Sequence, residues 1–423
     1  MSNNNETQLA KNIKPQSLVT EADVKVALKA DKGPDAQLSS WTVEDFTKQG
    51  DNYACVVSSV RVKFSCQGHN SEVVYVVKLN PCRPMAFWVD VTELFFLKES
   101  KFYTTLVPEL NSALTTNGQE RLRVPRCFHC VMESGREVIY LEDLRPLGFK
   151  MFDRRKGLDV PHAVLILQEL GRLHASSLVL QAKSPGEDII QRHNYLLKEW
   201  TTLTDSTVHL FEECLRTARD MLLKFKGYER AIIWIESLKP KIIEILKEQL
   251  GSSKYNVVCH GDCWNNNVLF RYNEEGVPVE VMLLDLQVVR WASPATDLNY
   301  LLYTSLTGEV RKPNLDSFLA SYNSSFTKVM EAAHLDMPFT DSQIYHDFRD
   351  KNLIGALFAI MIVQFILFEP EDIPDMSGAK NESFEQLMNE FKVKSIELLD
   401  TNPLMQPRFL SVFDEMMEVG LIP

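Results

Sequence analysis

The chain has 423 residues, enough for two lobes of ordinary size with a cleft between them. Hydrophobic residues make up 45% and charged residues 24%, the balance of a globular protein with sizeable cores. The net charge of −12 argues against nucleic acid or an anionic membrane surface as the main partner.

Residues 1–16, rich in Asn, Gln and Lys, hold too little apolar surface to pack and are expected to form an unstructured tail. They also lack the apolar stretch of a secretory signal. A short amphipathic helix is expected around Glu21 to Ala30, before the break at Lys32-Gly33-Pro34. The segment from Lys48 to Cys55 then opens a strand with Val56, Val60, Val62 and Phe64 on one face and Ser59, Arg61 and Lys63 on the other. A second strand, Glu72 to Leu79, pairs with it across a Gly-containing turn and carries Lys78 near its end. In the helix expected from Thr92 to Leu106, Phe95, Phe102, Tyr103 and Leu106 form one apolar stripe with Glu99 in its middle. A carboxylate on an inward face is costly unless paired, and a lysine on the neighbouring strand is an available partner.

Glu137 to Leu144 reads as an apolar strand running into an acidic turn. Pro161 begins a helix whose Ile166, Leu167, Leu170, His174 and Ser177 share a face, and His174 is expected to be a buried, hydrogen-bonded histidine. Residues 194–249 and 316–420 are helical in pattern. The most apolar segment, Leu353 to Phe368, is shorter than the roughly 20 residues a membrane span needs and contains Gln364, so a buried helix is expected. The eight cysteines are scattered, which fits a reduced, cytoplasmic protein. Cys127-Phe128-His129-Cys130 has a zinc-like spacing, but an odd separation in a strand sends the two thiols to opposite faces. With no second ligand pair in view, neither a zinc nor a redox site is expected.

The chain is organised around YNVVCHGDCWNNNVLFRYNEEGVPVEVMLLDLQ, residues 255–287. His260, Asp262 and Asn267 lie on a turn after the apolar run Val257-Val258-Cys259. A hairpin turn at Asn273-Glu274-Glu275-Gly276 then leads into Val281 to Leu284 and ends on Asp285. That geometry returns Asp285 to the neighbourhood of Asp262 and Asn267. The order His-x-Asp-x4-Asn, followed by Asp after a strand, is that of the kinase catalytic core. Phosphoryl transfer asks the protein mainly to position groups and neutralise charge, and hard Mg²⁺ prefers oxygen ligands. Asp-Leu-Gln in place of Asp-Phe-Gly, and Gly261 in place of the protein-kinase Arg, point to small-molecule kinases of the aminoglycoside phosphotransferase and choline kinase type.

More closely, HGDCWNNNVLF with LLDLQ, GDNYA at residues 50–54, Glu99-x-x-Phe102-Tyr103 and Glu142-Asp143-Leu144 resemble the ecdysteroid kinase-like, or CHK kinase-like, family. The resemblance runs from about Lys48 to the end of the chain. It implies an α+β, bilobal protein-kinase-like fold, with a small lobe over residues 17–143 and a larger, mainly helical lobe over 144–423. It also implies an ATP- and Mg²⁺-dependent phosphotransferase acting on an alcohol, an ecdysteroid or another lipophilic molecule. Asp262 would orient the acceptor hydroxyl and take its proton, while Asn267 and Asp285 would bind Mg²⁺, with Gln287 assisting. Lys78, oriented by Glu99, would hold the α- and β-phosphates under the backbone of Gly50, Asp51 and Asn52. Glu142 and Leu144 would stand at the adenine-binding hinge, although Glu142 and Asp143 fit solvated hinge acids equally well. His260 is expected to brace the loop, and Asp297 to hold loop amides. A monomer with no nucleic-acid or membrane partner is expected. The rival readings are a choline- or ethanolamine-type kinase, and a catalytically silent binding protein on the same scaffold.

Overall fold

The computed structural model describes residues 14–46, 55–83, 86–184, 186–373 and 384–423. The small lobe is one antiparallel sheet of five strands: β1 (Gln37–Asp45), β2 (Val56–Cys66), β3 (His69–Leu79), β4 (Cys127–Val131) and β5 (Val138–Glu142), in the order β1-β2-β3-β5-β4. The helix α1 (Glu21–Lys32) is capped by Thr20, whose hydroxyl accepts from the Asp23 amide at 3.2 Å. It lays Val24, Ala27 and Leu28 on Val60, Val62, Phe64, Tyr75 and Val77. The alternation expected along β2 holds for these residues. Ser59 departs from it and is buried, because Cys55, Val57 and Ile139 build a second core beneath that end of the sheet. Strand β1 was not foreseen. It is an edge strand, exposed or half-exposed along its whole length, and its place is set by pairing with β2. The short turn Pro15–Leu18 begins inside the stretch expected to be unstructured, because Leu18 and Val19 pack into the sheet's core. The rest of that stretch lies outside the described residues.

Below the sheet, α2 (Ala86–Lys101) runs through a π-turn at Phe102–Leu106 into α3 (Val107–Thr115). The helix thus continues past the stop expected at Leu106. Pro108 has no N–H to return to the carbonyl one turn back, and the widened turn absorbs that loss.

In the large lobe, α4 (Val160–Lys183) is long and apolar enough to cross a membrane by length and composition, but 72% of that apolar window is buried among other helices. Its main partner is the helix Gly308–Ala332. The apolar segment at Leu353 to Phe368 forms a buried helix, Asn352–Val363, as expected. Gln364 just beyond it is satisfied by donating to the Cys214 carbonyl at 2.8 Å and the Ile360 carbonyl at 2.7 Å. Two short ribbons complete the lobe: β6 (Val257–Cys259) with β9 (Arg290–Ala292), and β7 (Val268–Tyr272) with β8 (Pro278–Leu283).

One expectation is overturned in β4. Cys127 faces Leu141, yet His129 faces Tyr140, so Phe128 is an extra residue in the ladder. The bulge shifts the alternation by one and puts Cys127 and Cys130 on the same face, with their sulfurs 3.5 Å apart.

Candidate active site

Asp297, in the first turn of the helix Pro294–Ser305, is the brace of the central loop. Its carboxylate accepts from the amides of His260 at 2.6 Å and Gly261 at 2.8 Å, and it bonds His174 Nε2 at 3.0 Å. His174 Nδ1 in turn meets the Tyr322 hydroxyl at 3.0 Å. Burial works against the Asp297 charge, but His174 and the loop amides outweigh it and hold the carboxyl below its usual range. Cys259 completes a buried trio with His174 and Asp297, all ligand atoms lying within 4.8 Å of one another. These groups are already committed to protein hydrogen bonds, the Cys259 thiol to the Ala292 and Ser293 carbonyls. His260 keeps its Nδ1 for the Asp262 amide, and burial depresses its basicity, so it stands as a neutral support for the loop.

With the loop held, Asp262 is fixed at both oxygens. The Tyr300 hydroxyl donates to Oδ1. Asn267 Nδ2 donates to Oδ2 at 2.9 Å and to the Asp262 carbonyl at 2.9 Å. The Asn267 amide nitrogen is therefore spent, which leaves its carbonyl oxygen as a ligand. Although the edge of Asp262 reaches a cavity, protein packs closely around it, and burial pushes its carboxyl up to about 7. The Leu284 amide donates to the backbone carbonyl of Asn267 at 2.8 Å, leaving the side-chain Oδ1 free and tying the end of the hairpin back to the loop. The next residue, Asp285, adopts a left-handed conformation (φ 64°, ψ 53°) that turns the chain where a metal ligand is expected.

Lys78 lies between two carboxylates, pairing with both Glu99 and Asp285. In the sheet it stands opposite Val57 on one side and Ile139 on the other, in the buried half of β3. Burial alone would neutralise its ammonium, but the two acids raise its pKa well above the ordinary value. For Glu99 burial wins, and its carboxyl is raised. The asymmetry has a simple cause: one cation is shared by two acids, and the neighbouring Asp285 adds to the burial that raises Glu99. Gln287 Nε2 reaches the second oxygen of Asp285 at 3.3 Å. This excess of carboxylate, with the free oxygen of Asn267, fits a hard divalent cation.

Asp262, Asn267, Asp285 and Gln287 open on a cavity of about 230 Å³. Its walls are apolar: Val91 and Phe95 from α2, Trp200, and Phe358, Met361 and Ile362 from the buried helix Asn352–Val363. Leu387 and Phe391 close a further side. Among the described residues, the carboxylates in its lining are Asp262 and Asp285.

The structure thus gathers Lys78, Glu99, Asp262, Asn267, Asp285 and Gln287 into one place. Glu142 and Leu144 stand apart at the junction of the lobes. Glu142 is opposite Tyr75, three residues along β3 from Lys78, and its carboxylate accepts from the Arg126 amide at 3.2 Å. The Leu144 side chain packs with Phe149 and Met282 of the large lobe. Gly50, Asp51 and Asn52 lie outside the described residues. Two residues were missed from the sequence. Tyr300 was legible, since it sits three positions after Asp297 and hence on the same helix face. Arg290 was not. It is 1% exposed in β9, 3.3 Å from Glu199, and its positive charge works against the burial that raises Asp262. Where a protein kinase has Arg beside the catalytic Asp, this chain has Gly261 and brings a guanidinium in from β9.

Among curated proteins nothing matches the chain. Similar solved structures include an ethanolamine kinase from Plasmodium vivax, 11% identical with a TM-score of 0.40, the match covering 93% of this chain and 86% of that one. A choline/ethanolamine kinase family protein from Mesorhizobium loti is 10% identical with a TM-score of 0.38, over 93% of this chain and 98% of that one. The model of the ecdysteroid kinase-like family matches residues 49–335, more than half of the chain and all of the residues gathered at the candidate site. With its five-stranded small lobe, helical large lobe and the site between them, this chain belongs to the ecdysteroid kinase-like family.

Proposed function

We propose that this protein is an ATP- and magnesium-dependent kinase that phosphorylates the hydroxyl of a lipophilic small-molecule alcohol. The observation that carries this reading is Asp262, clamped by Tyr300 and Asn267 and opening on an apolar cavity beside Asp285. Asp262 orients the acceptor hydroxyl and accepts its proton at a carboxylate oxygen. Because the transition state is loose, that proton departs late and orientation counts for more than basicity. Lys78, steadied by Glu99, binds the α- and β-phosphates. Magnesium, held by Asn267 and Asp285, would supply the positive charge that offsets the phosphates. Val91, Phe95 and the helix Asn352–Val363 exclude water from the reacting groups.

The second reading, a choline- or ethanolamine-type kinase, draws on the aromatic residues of the same cavity, whose ring faces suit a cation. It is disfavoured because Asp262 and Asp285, the carboxylates of the described lining, are already engaged in the catalytic cluster. The test is a mass-spectrometric screen for ATP-dependent gain of one phosphate across sterols, amino alcohols and plant glycosides, with Asp285→Ala as control. Phosphorylation of neutral lipophilic alcohols by the wild type, and none by the folded variant, is the expected result. Turnover confined to choline or ethanolamine would favour the second reading. Binding of alcohols without any phosphorylation would replace both with a silent binding protein.

A further inference from the structure

The bulge in β4 creates a feature outside the site described above. Cys127 and Cys130 stand opposite Leu141 and Ile139, two residues apart on β5, and so point to the same face. The inserted Phe128 packs on the other face, its ring 5.2 Å from that of Tyr75, and His129 reaches Asp23 of α1 at 3.3 Å. The two thiols are left together, 3.5 Å apart and partly exposed on the edge strand of the sheet. Beneath them lies the core that contains Phe102, Tyr103 and Leu106 of the π-turn. Ile139 stands opposite Cys130 on one side and Lys78 on the other, so the thiol pair shares a cross-strand row with the phosphate-binding lysine.

We propose that Cys127 and Cys130 are a redox-active dithiol, closed to an intramolecular disulfide by a hydroperoxide. Nothing in this step depends on the kinase reading. One sulfur attacks the peroxide, the O–O bond breaks, and a sulfenic acid forms as water leaves from hydrogen peroxide or an alcohol from an organic hydroperoxide. The second sulfur then displaces the hydroxyl of the sulfenic acid, which leaves as water with that thiol's proton, and the S–S bond forms. The two thiols together lose two protons and two electrons. An S–S bond is about 2.05 Å long, so the sulfurs must approach by about 1.5 Å, a movement within reach of side-chain rotation. No other cysteine pair is given such proximity among the described residues. Cys66 and Cys82, the other partly exposed cysteines, have no thiol neighbour there, and Cys55, Cys214, Cys259 and Cys263 are buried.

The test treats the reduced full-length protein with one equivalent of hydrogen peroxide, alkylates it under denaturing conditions and maps the peptides by mass spectrometry. The expected result is loss of two of the eight alkylatable thiols and a mass lower by two hydrogens, placed on the peptide joining Cys127 to Cys130. Dithiothreitol restores all eight. Cys127→Ser and Cys130→Ser each abolish the disulfide, and circular dichroism verifies that both variants are folded. Retention of eight alkylatable thiols, or oxidation of Cys66 or Cys82 before this pair, would overturn the proposal.

Discussion

Gly261→Ala probes how the loop that carries Asp262 and the turn that follows Asp285 are held against each other. Gly261 has φ +84°, and a Cβ built on it would lie 2.3 Å from the Val288 carbonyl oxygen and 3.1 Å from its carbon. Both neighbours are backbone atoms of the turn that follows Asp285, so the contact cannot be relieved by a side-chain rotation. Two costs add. A left-handed conformation without glycine costs roughly 1–2 kcal/mol. Overpacking against backbone costs about 1–3 kcal/mol more. Gly148→Ala is the matched control, because Gly148 has φ +83° but its nearest neighbours are flexible carbons of Arg271 at 3.8 Å. It should show the first cost alone. Urea unfolding of the two variants and the wild type therefore isolates the clash as their difference, about 1–3 kcal/mol. If Gly261→Ala relieves the clash by moving Val288, Asp285 shifts against Asp262, and a displacement near 1 Å lowers turnover roughly 10²-fold. Equal destabilisation by the two substitutions, with activity retained in Gly261→Ala, would refute the close packing of the loop on the turn.

Lys78→Met leaves Glu99 buried beside Asp285, and should cost about 3 kcal/mol of stability and most of the nucleotide affinity. In the double variant with Glu99→Gln the stability losses should fall short of the sum by about 1 kcal/mol or more, and strict additivity would show that the pair is not coupled. Tyr300→Phe removes one of the two hydrogen bonds that aim Asp262, while its ring keeps its contact with Phe358 at 4.7 Å. Turnover should fall about tenfold or more with Mg·ATP affinity unchanged, and an unaltered kcat would remove Tyr300 from the positioning of the base. Asp262→Asn in the nucleotide-free protein tests the burial of that base. Since its folded pKa of about 7 lies above the ordinary 3.8, the folded carboxyl becomes costly above pH 3.8, increasingly so up to pH 7, and the penalty is constant beyond. The substitution removes that penalty and should stabilise the protein at about pH 8 by up to about 4 kcal/mol, less about 1 for the weakened Asn267 contact, but not at about pH 4. A difference in unfolding free energy that does not vary with pH would refute the raised pKa.

The sequence by itself determined which residues the candidate site gathers, because the proposed metal ligation and proton transfer each demand particular residue types at fixed points along one loop and one hairpin. His260, Asp262, Asn267 and Asp285 lie within 26 residues, where local turns and a two-stranded ribbon settle the geometry almost alone. The inward-facing Glu99 was legible for a similar reason, since an unpaired charge in an apolar helical stripe implies a partner. Other features depended on contacts between distant segments. Strand β1 takes its place from hydrogen bonds to β2, and neither face of it is fully buried, so little of it shows in its own apolar pattern. The apolar cavity is assembled from α2, Trp200 and the helix Asn352–Val363, segments distant along the chain whose Phe and Met side chains read as ordinary core. Arg290 reaches the loop only because β9 pairs with β6. The Cys127–Cys130 pair shows the limit most directly. Strict alternation separates those thiols, and a single inserted residue, Phe128, reverses the outcome. A bulge is decided by which register lets Phe128 pack on Tyr75 while both cysteines face the core, and that choice exists only once the neighbouring strands are in place.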